Sequence, residues 1–225
     1  MKKVNKNFII GGSLLLLFLV FTVLVKFVDV QNIGPLNSEV GFAGLNELFL
    51  VESTSKVWDI VSDIIMVISL LVVCLFIVVG IAQWVNRKSL KKVDKNIFVV
   101  AGLYVAVAIV FVLFEIVVIN NRPVLENGEL VASFPSSHVL ISLSLLLSGL
   151  IQLHKFYMKN RKVLLVADIV VSILAVMIVI GRMLSGVHWI TDIIGAILVS
   201  GALVYIYNGV LEIIMNKNTK DKTLE

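Results

Sequence analysis

Six runs of about twenty apolar residues constrain this chain more than anything else in it. They cover positions 8–28, 57–82, 97–119, 138–153, 163–183 and 190–214. Inside a bilayer, backbone N–H and C=O groups find no water, so a span of this length must satisfy them internally as an α-helix. The expected fold is therefore all-α and polytopic, with six transmembrane helices in one domain over residues 1–225 and a polar, irregular tail at 216–225. Composition agrees: 59% of residues are hydrophobic and 15% charged, against about a quarter charged in soluble domains. The fourth run is the shortest and borrows the turn at Ser136–His138 to reach across. The first run follows Lys2, Lys3 and Lys6, as a signal peptide would. It exceeds the usual h-region and precedes no small-residue cleavage site, so it reads as a retained helix.

Basic residues orient the spans. Fifteen of the 19 Lys and Arg fall before the first span, between the second and third, between the fourth and fifth, or after the sixth. Six spans put all fifteen on one side, which the positive-inside rule makes cytoplasmic, together with both termini. The net charge of +4 thus reflects topology and gives no reason to invoke nucleic-acid binding. Trp58 and Trp189 are expected at the outer interface and Trp84 at the inner one. The lone Cys74 reads as an inert thiol packed within the second span. In the long outer loop, residues 41–50 mix apolar and polar side chains and suit a short interfacial helix or an ordinary surface loop.

The same topology brings Arg122, His138, Arg182, His188 and Asp192 to the opposite face, at the ends of apolar runs. Charged groups beside membrane spans point to function. His188 and Asp192 are four residues apart where the last span begins, which places them on one helical face. A carboxylate on one imidazole nitrogen fixes the tautomer and leaves the other nitrogen free to attack. Arg182 and Arg122 offer guanidinium forks suited to phosphate oxygens. Pro135-Ser136-Ser137-His138 opens a helix, where free N–H groups attract anions, Ser136 or Ser137 is placed to cap, and His138 lies within reach of a leaving oxygen. Each element alone has a plainer reading as a cap, an interface anchor or a self-satisfied His–Asp pair. Asp63 reads as facing helix neighbours or interfacial water, as does Asp168 on the other side.

Together these strings resemble the type-2 phosphatidic-acid phosphatase family, in its integral-membrane lipid-phosphatase branch. That family shows K-x6-R-P, P-S-G-H and S-R-x5-H-x3-D; here they read Glu115-x6-Arg122-Pro123, Pro135-Ser136-Ser137-His138 and Gly181-Arg182-x5-His188-x3-Asp192. The resemblance implies His188 as the nucleophile that forms a phosphohistidine, Asp192 as its orienting carboxylate and His138 as general acid. It implies Arg122, Arg182 and Ser136 as phosphate ligands, with Ser137 in place of the glycine. It also implies chemistry without metal or other cofactor, acting on a lipid phosphate or diphosphate at the outer face of a bacterial plasma membrane. Undecaprenyl diphosphate, phosphatidylglycerophosphate, phosphatidic acid and diacylglycerol pyrophosphate are the implied substrate classes.

Glu115 departs from the pattern, standing where the family has lysine. A carboxylate at about 4 Å from bound phosphate costs about 4 kcal/mol at an effective dielectric of about 20. The expectation is that Glu115 pairs with Arg182 or Arg122 and holds it in place; Lys56 is a further source of the missing charge. Two other readings follow from the same residues. Glu115 could leave a catalytically weak or inactive lipid-phosphate binder, or the charges could line a transport path. The second fits less well, because they cluster at one face.

Overall fold

The computed structural model describes residues 2–51 and 53–222, and they form an all-α membrane protein. In chain order the helices are α1 (Lys2–Phe27), α2 (Ala43–Leu48), α3 (Lys56–Arg87), α4 (Lys95–Ile116), α5 (Ser137–Gln152), α6 (Arg161–Leu184) and α7 (Ile190–Lys222). All but α2 are long and apolar enough to span a bilayer. A π-helical turn, Leu153–Tyr157, lengthens α5 and completes the short fourth span.

Helix ends differ from the hydropathy reading mainly on the basic side. There α3 runs on to Arg87 and α7 to Lys222, so most of the expected irregular tail is helical, while residues 223–225 lie outside the described residues. Polar residues continue a helix once backbone bonds have started it, yet they are invisible to an apolar-run criterion. Cys74 is not packed inside; it lies on the exposed, lipid-facing surface of α3.

At the centre α5 and α7 pack on each other and are the two most buried spans. Small side chains allow the close approach: Ser142, Ser144 and Ser148 on α5, and Ala196, Ser200 and Ala202 on α7, are all buried. Around this pair, α1 and α4 lie against α7, and α3 and α6 lie against α5. That arrangement decides which polar residues meet at the site.

Two loops close the bundle at the end away from the basic turns. In the first, α2 is the expected short helix. Gly41 lets this loop cross α1, since a Cβ there would sit 1.6 Å from the Val25 carbonyl oxygen. Asn46 then donates to the Gly41 carbonyl at 2.8 Å and accepts from the Thr191 N–H at 3.2 Å, fastening the loop to the start of α7. The second loop is a hairpin turning at Asn127-Gly128, both in the left-handed region, with Glu126 and Glu129 exchanging backbone hydrogen bonds. Its base pairs Arg122 with Val131 and Asn120 with Ser133. The hairpin thereby delivers Arg122 and Ser133 to one place.

Candidate active site

The two histidines stand at the N-terminal ends of the two central helices. The second, His188, lies in the turn just ahead of α7, not on its face. Asp192 is the third residue of α7 and folds back to accept the Trp189 N–H at 2.8 Å, the reciprocal half of a capping box. Its carboxylate also favours the positive end of the helix dipole. The same oxygen, Oδ2, lies 3.3 Å from His188 Nδ1. The spacing expected from a helical face is therefore realised through a cap.

A third residue completes this pair. The Ser133 hydroxyl donates to Asp192 Oδ2 and lies 3.0 Å from His188 Nδ1. With acceptors on that side, Nδ1 carries the ring proton, and Nε2 keeps a lone pair. Nε2 is buried and has no hydrogen-bond partner among the described residues. Burial holds the His188 imidazole well below the ordinary value of 6.5, and the positive charges of Arg182, Arg122 and His138 push the same way. The ring is neutral at neutral pH, as a nucleophile requires.

The Pro135–His138 turn is held against this centre from two directions. Phe134 is buried among Phe18, Phe21 and Phe114, with ring centroids 5.8–6.2 Å away. Its ring also fills the space beside Gly195, where a Cβ would come within 2.5 Å of it. The Ser136 N–H donates to the Asp192 backbone carbonyl at 3.1 Å, joining the starts of α5 and α7. Ser136 occupies the N-cap position of α5, but its hydroxyl makes no cap bond and is buried without a partner. Neither serine caps this helix as expected, so the first N–H groups of α5 remain free to bind an anion.

Each arginine holds a carboxylate, and neither partner is Glu115. Arg182 is buried at the end of α6 and donates to Asp59 on α3 at 2.6 Å. Arg122 donates to Glu126, four residues on in the hairpin, at 3.0 Å. Asp63, one turn beyond Asp59 on α3, lies 2.9 Å from His138 Nε2. The expected pairing of Glu115 with an arginine fails for a packing reason: α6 lies on α3, so α3 supplies the acid that meets Arg182. Among the described residues Glu115 forms no ion pair. It lines a narrow cavity with Ser133, Ser137 and His188, with room for about one water at most. Lys56 is exposed and also forms no ion pair among the described residues. Trp189, expected as an interface anchor, is instead 2% exposed and donates to the Asn121 carbonyl at 2.6 Å.

The structure thus gathers His188, Asp192, His138, Arg122, Arg182, Ser136 and Ser137 at one end of the bundle, with Glu115 at the edge of the cavity. It adds Ser133, Asp59 and Asp63. Ser133 directly precedes the Phe134-Pro135 step, and Asp59 and Asp63 show the four-residue spacing of one helical face, a signal that names no partner.

The PAP2 superfamily profile matches residues 119–214, from the hairpin to the last span, and so takes in both histidines and both arginines. Over this segment the chain is similar to the PAP2 superfamily. Among solved structures it is similar to a transmembrane PAP2-type phosphatidylglycerolphosphate phosphatase from Bacillus subtilis. The TM-score is 0.63 and the identity 17%, over 91% of this chain and 96% of that one. At this identity the likeness is one of fold. Comparison with curated proteins finds no match. Helices α1 to α4 all lie before the matched segment, so Asp59, Asp63 and Glu115 are contributed from outside it.

Proposed function

We propose that this protein is a PAP2-type membrane lipid phosphatase that transfers phosphate to His188 and then to water. The observation that carries this reading is the state of His188: Nδ1 is engaged by Asp192 and Ser133, and Nε2 is buried, unprotonated and without a partner among the described residues. In the first step the Nε2 lone pair attacks phosphorus. The bond to the lipid oxygen breaks, and that oxygen takes a proton from His138. In the second, water attacks the phosphohistidine and gives a proton to His138, releasing inorganic phosphate and restoring His188. Arg122, Arg182, the Ser136 hydroxyl and the free N–H groups of α5 stabilise the charge that gathers on the equatorial oxygens. Splitting one hard displacement into two easier ones is the gain of covalent catalysis.

The substrate is a lipid phosphate or diphosphate that reaches the site from the bilayer, and the chemistry needs no metal. The site faces outward from a bacterial plasma membrane, with the basic turns and both termini in the cytoplasm. Purified protein assayed for phosphate release over a panel of lipid mono- and diphosphates, with and without EDTA, tests these points together. Release by wild type, its loss in His188→Asn and persistence in EDTA are expected.

One observation favours a second reading, a weak or inactive binder of lipid phosphate. Both arginines already hold carboxylates, and Glu115 borders the cavity without a cation. Binding of a lipid phosphate without its hydrolysis in the same panel would select that alternative.

A further inference from the structure

The site contains two His–carboxylate pairs of opposite polarity. In the pair formed by His188 and Asp192, the carboxylate engages Nδ1 and Nε2 is free. In the pair formed by His138 and Asp63, the carboxylate engages Nε2 at 2.9 Å, and Nδ1 is buried without a partner. Asp63 belongs to α3, outside the segment that carries the superfamily match, and its spacing from Asp59 puts both acids on the same helix face. Asp59 meets Arg182 and Asp63 meets His138, so one face of α3 touches two of the groups assigned to phosphate transfer.

We infer that Asp63 is a positioning residue for proton delivery to the leaving group: it fixes the His138 ring through Nε2, so that Nδ1 is the nitrogen that hands over the proton. This rests on the phosphatase reading above. The chemistry requires such a group. His138 must hold a proton while buried among the guanidinium ions that cradle the phosphate, and a carboxylate on its far nitrogen offsets part of that cost and favours the imidazolium. An acceptor at Nε2 also leaves the ring one useful orientation. The side chain of His138 is 14% exposed and that of Asp63 is 56% exposed, so the pair lies at the rim, with its water-facing end on α3. When His138 gives up its proton through Nδ1, the Nε2–H bond to Asp63 persists. The ring is then reprotonated at Nδ1 by the water of the second step, so no further proton carrier is needed.

Leaving-group dependence tests this without relying on fold or expression alone. The measurement is kcat/KM of detergent-purified wild type, Asp63→Asn and Asp63→Glu on an alkyl phosphate and on p-nitrophenyl phosphate. The alkyl oxygen leaves as a strongly basic alkoxide and needs the proton; p-nitrophenolate leaves as a stable anion and does not. Asp63→Asn should lose about 10–100-fold on the alkyl ester, a fraction of the roughly 10²–10⁴-fold that general acid catalysis supplies, and much less on the aryl ester. Asp63→Glu should recover part of the loss. Equal losses on both esters, or none on either, overturn the role of Asp63 while leaving the phosphatase reading intact. A wild type that hydrolyses neither ester nor any lipid phosphate overturns both.

Discussion

Ser133→Ala is the substitution that best probes the geometry around His188. The Ser133 hydroxyl is buried and touches both members of the pair: it donates to Asp192 Oδ2 and lies 3.0 Å from His188 Nδ1. Removing it leaves Asp192 Oδ2 with the Trp189 N–H at 2.8 Å and the longer 3.3 Å contact to His188. A hydrogen bond to a charged group contributes about 1.5–3 kcal/mol. If that support is felt mainly when His188 becomes cationic in the transition state, kcat should fall about 10–100-fold, since each 1.4 kcal/mol is about tenfold. KM should change little, because Ser133 is not among the groups assigned to phosphate. Asp192→Asn should cost more, on the order of 10⁴, as loss of a triad carboxylate does in serine proteases. The two should not add: once Asp192 is an amide, Ser133 has no carboxylate to orient, and the double mutant should resemble Asp192→Asn. The assay is steady-state phosphate release on a water-soluble lipid phosphate analogue, with monodispersity and melting temperature checked for each variant. A fully active Ser133→Ala protein, or strictly multiplicative losses in the double mutant, would refute the three-residue arrangement.

Three further outcomes are expected. Gly195→Ala should push the Phe134 ring out of its pocket, costing about 1–3 kcal/mol of stability and most of the activity; thermal unfolding and turnover of the purified variant measure both. The folded state keeps His188 neutral, whereas the unfolded chain protonates near 6.5. Stability should therefore fall by about 1.4 kcal/mol per pH unit below 6.5, until the lower folded value is reached. The drop in melting temperature between pH 7.5 and pH 5.5 should accordingly be smaller in His188→Asn than in wild type. In a Cys74→Ser background, a membrane-impermeant thiol reagent applied to intact cells should label Glu126→Cys on the hairpin and spare Lys91→Cys; the reverse pattern would invert the topology.

The helices were legible because hydrophobicity acts along a span, and no distant residue is needed to read it. Their extensions, such as Gln83 to Arg87 on α3, were not, since only backbone continuity carries them. For the site, spacing sufficed where the contact is local: His188 and Asp192 meet within one turn, though through a cap at the helix start. Contacts across the bundle were the opposite case. Asp59 reaches Arg182 over 123 positions and Asp63 reaches His138 over 75. Choosing between Asp59 and Glu115 as the partner of Arg182 required knowing that α6 packs on α3. Ser133 was missed because a serine in a loop carries no periodicity; the hairpin turn at Asn127-Gly128 is what swings it beneath His188.

The most direct test of the account is to identify the residue that carries phosphate during turnover. Wild-type protein mixed with a labelled lipid phosphate, quenched in alkali where phosphohistidine survives, and digested should yield label on the peptide containing His188, specifically on Nε2. The label should be absent from His188→Asn and should build up in His138→Ala when an aryl phosphate is used, because the second step then lacks its base. Label on any other residue, or equal labelling of His188→Asn, would contradict the central claim.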